Sequence, residues 1–384
     1  MQAVILAAGE GKRVRPLTRS RPKALIPIAN RPIIEYVIDS LIKNGIRDII
    51  VVVGYRKEQV TRYLNQLEVP VSVVFQDKQL GTAHALKCAE SKIKEDFLLL
   101  PGDNYIDMGS IAKIKEMRNA MLVKEHPNPS NFGVVLLKDG FVTDIIEKPE
   151  RAPSFLVSTG IFSLTPAFFK FIKDNNITDV ISGMINEGGM IKGVAADDWQ
   201  DAIYPWDLLK MNTRLLSQIV PSRYGTSNRN TTITGAVQIG KGTNIGPNTI
   251  ISGPVVIGND CEIGPNCCVM PNTSIGARVK IEPFCYLGNA LIMDDCFIGS
   301  HSRIIDTVLG EGCMLSDHTT TCTSVSIMEI EGAAIKPEFG AVLGDGVRAG
   351  AFITFKNCIV GNNVTIEDGN RVISSFVPDD ALVI

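Results

Sequence analysis

Cysteine is nearly missing from the first 260 residues of this chain, where Cys88 stands alone; the other eight are Cys261, Cys267, Cys268, Cys285, Cys296, Cys313, Cys322 and Cys358. No C-x-x-C pair occurs and the total is odd, so neither a thiolate metal site nor a disulfide framework is indicated. Charge of one sign is also lacking: 38 Lys and Arg face 41 Asp and Glu, for a net charge of −3. That balance implies neither nucleic acid nor an anionic membrane as a partner. No apolar run approaches the ~20 residues of a membrane helix. The first residues enter a strand-like run rather than the basic-then-apolar start of a signal peptide, so a cytoplasmic protein is expected.

At 384 residues the chain can hold two domains of ordinary size. Its opening stretch organises the first. The apolar run Ala3-Val4-Ile5-Leu6-Ala7-Ala8 reads as a strand buried on both faces, as in a parallel sheet covered by helices. It breaks into Gly9-Glu10-Gly11-Lys12-Arg13-Val14-Arg15-Pro16-Leu17-Thr18, and Pro22-Lys23 follow. Two glycines let backbone N–H groups approach a phosphate, and the cations supply the opposite charge. A P-loop is excluded: no Gly lies five residues ahead of Gly11-Lys12, and Arg13 stands where Ser or Thr would hold magnesium. The dinucleotide fingerprint is excluded as well, because it needs a third glycine opening the helix. A polyphosphate is the expected ligand, against the plain alternative of a basic surface loop after a core strand.

From residue 1 to about 205, apolar strands alternate with amphipathic helices near Pro32–Asn44, Lys57–Leu67 and Ala83–Ser91. Such alternation predicts a doubly wound parallel sheet, with ligands at the carboxyl ends of its strands. After the strand Val71–Phe75 comes Gln76, whose amide offers a donor and an acceptor matching the edge of uracil or thymine. Gly81 would let a base lie against backbone, Thr82 also reads as a helix N-cap, and His84 reads as structural. After the strand Phe97–Leu100, Asp103 is a hard oxygen ligand suited to a magnesium ion that bridges phosphates, or else a turn residue. Phe132–Leu137 and Val142–Ile146 read as a hairpin that delivers Glu147-Lys148-Pro149.

The G-x-G-x-R-hydrophobic-x-P-L-T loop and the P-K pair resemble the signature of sugar-1-phosphate nucleotidyltransferases (nucleotide-sugar pyrophosphorylases). The resemblance continues through the other motifs. It implies an α/β doubly wound (Rossmann-like) nucleotidyltransferase domain in which Arg13, Lys23 and Asp103 are catalytic. Nucleotide contacts are implied for Leu6, Ala8, Gly9, Gly11, Gln76, Gly81 and Thr82, and sugar-phosphate contacts for Gly133, Glu147, Lys148 and Gly160. Trp199-Gln200-Asp201, followed by Pro205-Trp206-Asp207-Leu208-Leu209, is similar to the family's W-x-D element, which makes Asp201 the second magnesium ligand beside Asp103. Gln76-x4-Gly81-Thr82-x-His84-Ala85 looks most like the bacterial N-acetylglucosamine-1-phosphate uridyltransferases. Two positions depart from the pattern: Ser158 where amino-sugar relatives often carry Asn, and Ile203 where the family has Gly.

From Ile233 an apolar anchor recurs every six residues: Ile239, Ile245, Ile251, Ile257, Ile263, Val269, Ile275, Ile281, Leu287 and Met293. This hexapeptide period predicts a left-handed parallel β-helix over 233–384, joined to a 1–220 nucleotidyltransferase domain by a polar linker at 221–232. Four residues after the anchors stand Thr243, Thr249, Val255, Cys261, Cys267, Thr273, Val279 and Cys285. Small side chains stack there, so the cysteines read as buried hydrophobes rather than bridges. The register slips around Ile298–Leu315, is obscured over His318–Gly340 and resumes at Leu343, leaving an excursion loop or a site between. Solenoids of this kind often trimerise, so a homo-oligomer is expected.

Some relatives with such a tail are bifunctional and acetylate glucosamine-1-phosphate from acetyl-CoA. By that resemblance His301, His318 and Lys336 form a candidate acetyltransferase site, although the relatives' glycines, Asn and Tyr are absent around them. A structural or oligomerising tail is the other reading. The expected function is magnesium-dependent transfer of a nucleotidyl group from UTP or dTTP to glucose-1-phosphate or N-acetylglucosamine-1-phosphate, releasing pyrophosphate. A non-catalytic nucleotide-sugar sensing or scaffold subunit is the rival from another class.

Overall fold

The strand β1 (Gln2–Ala7) lies within a nine-stranded sheet because its apolar run has no polar face to offer water. A computed structural model describes residues 1–330 and 333–384 of the chain. β1 pairs in parallel with β2 (Ile49–Val53), from Ala3↔Ile49 to Ala7↔Val53, and with β4 (Phe97–Pro101), from Gln2↔Phe97 to Leu6↔Pro101. β2 pairs in parallel with the edge strand β3 (Val71–Phe75). β2 is buried at every residue, as a continuous Val/Ile run requires. The helices α1 (Ile33–Lys43), α2 (Lys57–Leu64) and α3 (Thr82–Cys88) supply the crossovers.

Beyond β4 the sheet is mixed, with antiparallel strands added to the doubly wound parallel half. Beyond it lie the short β5 (Asn104–Ile106), then β6 (Ala120–Glu125), β7 (Gly133–Lys138), β8 (Phe141–Glu147), β9 (Leu156–Leu164) and β10 (Lys192–Ala195). The order is β3-β2-β1-β4-β9-β6-β10-β8-β7, with β9 antiparallel to both β4 and β6. β10 runs parallel to β6, while the hairpin β7–β8 adds a further antiparallel pair. Its two-residue loop, Asp139-Gly140, has φ of +53° and +81°, the backbone that matches the twist of paired strands. Such a tight turn delivers an antiparallel neighbour and no crossover helix.

The chain divides into two compact units whose boundaries are discontinuous in sequence. One holds Met1–Glu10, Arg21–Leu25 and Pro32–Asp201; the other holds Gly11–Ser20, Ile26–Arg31 and Ala202–Ile384. No described helix is long and apolar enough to cross a membrane.

The second unit is built from short parallel strands stacked in register. Each strand first pairs with the one 18 residues on, as in Val237↔Val255 and Ile245↔Ile263, which is three hexads per repeat. After Ile275 the repeat shortens to 17, as in Ile275↔Ile292 and Ile281↔Ile298. Ile292 therefore takes the anchor place that a strict six-residue count assigns to Met293. A single spacing of 34, as in Leu309↔Leu343, then follows, and an excursion leaves the stack after Thr323 and rejoins it at Ala341. It carries two antiparallel pairs, Ser324–Val325 with Glu338–Phe339 and Met328–Ile330 with Ala333–Ile335.

Inside the stack, Thr and Cys do the same job. Thr243 Oγ1 donates to the Gly258 carbonyl at 2.7 Å, and Thr249 Oγ1 to that of Gly264 at 2.9 Å. Cys261, Cys285, Cys296 and Cys313 direct Sγ at the carbonyls of Gly276, Gly299, Gly310 and Gly344 at 3.0–3.1 Å. Each is a small donor that satisfies a buried turn carbonyl, so the cysteine-rich half needs no bridge. All nine thiols are free. Burial pushes the Cys358 thiol up to about 12, and the Cys296 neighbour together with burial holds Cys313 well above the ordinary range. A native thiol titration is expected to reach at most the three partly exposed cysteines, Cys88, Cys268 and Cys322, and all nine only in denaturant. Rapid native labelling of Cys313 would contradict this packing.

Candidate functional site

Two carboxylates distant in sequence meet through a ribbon of two short strands. β4 ends at Pro101, and Gly102-Asp103 lead into β5. β11 (Trp199–Asp201) runs antiparallel to β5 with Trp199↔Ile106, Gln200↔Tyr105 and Asp201↔Asn104. That register sets Asp201 across from the residue next to Asp103. Between them lies the buried Lys23, its Nζ 3.0 Å from Asp103 Oδ2 and 2.6 Å from Asp201 Oδ1. Burial alone would lower the Lys23 pKa, but the two carboxylates outweigh it and raise the group above its ordinary value. Lys23 therefore stays charged at any physiological pH.

The ribbon is held from below. Asp107, the N-cap of α4 (Met108–Lys115), accepts the Ser110 N–H at 3.0 Å and the Asp198 N–H at 3.1 Å, so one side chain ties the helix start to the approach to Asp201. Burial would raise the Asp107 pKa; hydrogen bonds from Ser110, Asp198 and Gly109 prevail and hold it below the usual carboxylate value. A depressed carboxyl stabilises the fold above its unfolded pKa of about 3.9 and loses that contribution as pH falls through the folded value. Asp107→Ala is expected to cost about 1–2 kcal/mol at neutral pH. The penalty should shrink in melts recorded below about pH 4. An undiminished penalty there would show that the charge is irrelevant.

Asn104 was not singled out by the sequence reading. It is buried, donates from Nδ2 to the Thr159 carbonyl at 3.3 Å, and leaves Oδ1 without a partner among the described residues. It connects the Gly-Asp turn to the Thr159-Gly160 element; its place directly after the Gly-Asp pair is the signal that marks it. Gly160 sits in a bulge of β9, where the register with β6 shifts between Ser158 and Phe162. Its φ is +77° and a Cβ there would lie 2.9 Å from Pro101 Cγ, so a side chain is excluded. Ser158 supports the bulge by accepting the Gly160 N–H at 3.2 Å.

At the end of β3, Gln76 is buried and its Nε2 donates to the Gly81 carbonyl at 3.0 Å, with His84 Nδ1 at 2.9 Å. His84 thus orients Gln76, the structural role expected of it. Gly81 has φ +145° and a Cβ there would come within 2.3 Å of the Asn175 carbonyl oxygen. Gly81, not Thr82, is the N-cap of α3, which corrects the sequence reading. The Thr82 hydroxyl instead accepts the Ile177 N–H at 3.0 Å, at the start of α5 (Ile177–Asn186).

Gly133 faces Glu147 across the β7–β8 hairpin. Glu147 Oε2 accepts the Thr178 hydroxyl at 2.8 Å and Oε1 lies 3.3 Å from Lys148 Nζ. Leu6 and Ala8 flank the carboxyl end of β1, and Gly9 is exposed just beyond, in the first unit. Gly11 and Arg13 are counted with the second unit.

In the second unit, His301 and His318 are exposed and stack face to face, 5.1 Å between centroids. Phe284 covers the outer face of His301 at 4.9 Å and Phe352 that of His318 at 4.6 Å, so the imidazoles offer only their edges. Lys336 is exposed in the excursion. Among the described residues no group of three or more His, Cys, Asp or Glu side chains could hold a metal by itself. The Asp103–Asp201 pair fits magnesium nonetheless, since that ion commonly takes one or two carboxylates and completes its shell with phosphate and water.

Residues 2–218 match the nucleotidyl transferase family, and residues 251–378 match the GMPPB C-terminal domain family. The chain is 38% identical to the bifunctional protein GlmU of Methanococcus maripaludis strain C7, over all of this chain and 99% of that protein. It is 37% identical to the UTP–glucose-1-phosphate uridylyltransferase AglF of Haloferax volcanii, over 56% of this chain and 96% of that one. A UDP-glucose pyrophosphorylase structure from Acinetobacter baumanii shares the fold, with a TM-score of 0.51 at 24% identity, over 56% of this chain and 94% of that one.

Proposed function

The chain belongs to the nucleotidyl transferase family, and from that premise we propose that it joins UTP or dTTP to a sugar 1-phosphate, glucose-1-phosphate or N-acetylglucosamine-1-phosphate, with release of pyrophosphate. The convergence of Asp103 and Asp201 on Lys23 carries the reading. A phosphate oxygen of the sugar 1-phosphate attacks the α-phosphorus in line; a P–O bond forms there, the α–β anhydride bond breaks, and pyrophosphate takes the electron pair. No covalent intermediate on the protein is required, so alignment and charge neutralisation supply the rate. Asp103 and Asp201 would hold Mg²⁺, which when bound neutralises phosphate charge. Lys23 and Arg13 act on the triphosphate, and Lys148 on the sugar phosphate. Glu147, Gly133 and Gly160 take the sugar; Gln76, Gly81 and Thr82 take the base; Leu6, Ala8, Gly9 and Gly11 line the nucleotide.

The parallel stack is a left-handed β-helix of hexapeptide repeats on this reading, and 1–220, 221–232 and 233–384 are the functional domain, linker and tail of a homo-oligomer working in the cytoplasm. Full-length similarity to GlmU-named proteins favours a second activity, transfer of an acetyl group from acetyl-CoA to glucosamine-1-phosphate near His301, His318 and Lys336. A pyrophosphate-release assay across the nucleoside triphosphates and sugar phosphates tests the first activity. Thiol release from acetyl-CoA with glucosamine-1-phosphate tests the second.

A further inference from the structure

The loop Gly11–Ser20 is folded onto one column of turns in the parallel stack. Three residues of that column, 17 positions apart, are Asp345, Asn362 and Asp379. Each uses one side-chain atom for the stack itself: Asp345 Oδ1 accepts the Glu311 N–H at 2.8 Å, Asn362 Oδ1 that of Asp345 at 2.7 Å, and Asp379 Oδ1 that of Asn362 at 2.9 Å. The other atom of each is turned to the loop. Asp345 Oδ2 accepts the Ser20 hydroxyl, Asn362 Nδ2 donates to the Pro16 carbonyl at 3.2 Å, and Asp379 Oδ2 pairs with Arg19 Nε at 2.8 Å.

The side-chain chemistry matches the loop atom by atom. Carboxylates stand where the loop presents an O–H or a guanidinium; the one amide stands where it presents a carbonyl, and a carboxylate there would be repelled. The stack's own hydrogen bonds need only Oδ1, which Asp and Asn supply alike, so the choice between them at these three turns is explained by the loop. Asn362 and the Leu17 and Thr18 side chains of the loop are buried, which fixes the contact geometry.

We propose that Asp345, Asn362 and Asp379 are positioning residues of the nucleotide site, through which the repeat unit sets the conformation of the glycine-and-arginine loop that receives the triphosphate. The inference rests on the proposed nucleotidyl transfer. Loss of a loop contact should then weaken the nucleotide and spare the sugar phosphate.

The test uses the full chain and UTP or dTTP as probe, with binding followed by calorimetry and turnover by pyrophosphate release. Asn362→Asp keeps the ladder acceptor and reverses only the loop contact. It should raise the nucleotide Kd and KM by about tenfold, with the sugar-phosphate KM changed less than about twofold. Asp379→Asn and Arg19→Ala should each give a smaller loss, and the double variant no more than the worse single one, as expected of a pair acting through each other. Nucleotide affinity equal to wild type in Asn362→Asp and Asp379→Asn, with unchanged melting, overturns the inference. Equal rises in both KM values overturn it too, since they report general loosening. Wild-type protein that binds nucleotide but releases no pyrophosphate overturns the proposed reaction instead, and the binding arm still decides the positioning role.

Discussion

Asp103→Asn is expected to lower pyrophosphate release on the order of 10²–10³-fold, the scale for removing one group that neutralises transition-state charge. The substitution keeps the shape of the side chain and removes only its charge. Lys23 retains Asp201 at 2.6 Å, so the fold keeps one of its two ion pairs at this point. Asp103 is one-third exposed but its partner Lys23 is buried, so the stability change is expected to be about 1–3 kcal/mol, below that for breaking a fully buried pair. Asp201→Asn should act in the same direction, and the double variant should be no worse than additive because both carboxylates serve one cation. The measurement is steady-state turnover at saturating magnesium, beside a thermal melt. Turnover of Asp103→Asn within about threefold of wild type would remove the carboxylate pair from the mechanism.

Phe339→Ala is expected to destabilise the protein by about 3–5 kcal/mol, the usual range for truncating a fully buried aromatic ring. Phe339 closes the excursion and is inaccessible to solvent. Its ring stacks on Trp206 at 5.1 Å, and Trp206 stacks in turn on Tyr204 at 5.0 Å, just before α6 (Asp207–Leu216). The return of the excursion is fixed independently by the buried Asn357, whose Nδ2 donates to the carbonyls of Ser324 at 2.7 Å and Pro337 at 3.1 Å. The loss should therefore appear as a lower denaturation midpoint rather than as a local release of the arm. A bulk-preserving change, Phe339→Leu, keeps the site filled without the ring and should recover more than half of it. A denaturation midpoint for Phe339→Ala indistinguishable from wild type would show that the stack is peripheral.

Much of this architecture is legible in the residues, and the failures have physical causes. The runs around Ile5, Val51 and Leu99 announce buried strands because each is apolar on both faces. The Asp139-Gly140 dipeptide announces its hairpin because both residues tolerate positive φ. The antiparallel addition of β9 was not legible, since nothing local distinguishes a strand entering from the other direction. The six-residue anchors hold as far as Leu287 and then fail because the repeat loses one residue before Ile292. A count in sixes cannot see a turn made with five. Convergence of Asp103 with Asp201 followed only from resemblance: the β5–β11 register that brings them together is a tertiary pairing of two three-residue strands. The grip of Asp345, Asn362 and Asp379 on the loop was illegible for the opposite reason, since Asp and Asn at turns are what any such repeat contains.

The 34-residue spacing across the excursion equals two repeats of 17, and Ala341 stacks directly on Thr307. Excising 324–340 would therefore rejoin the chain in phase, with Ala341 falling 17 positions after Thr307 and every later rung keeping its partner. The arm is in this sense a detachable cassette, spliced into a frame that closes without it. The toll of its removal would fall on the bared indole of Trp206 and on the buried amide of Asn357, deprived of its acceptors at Ser324 and Pro337, while the ladder itself closes.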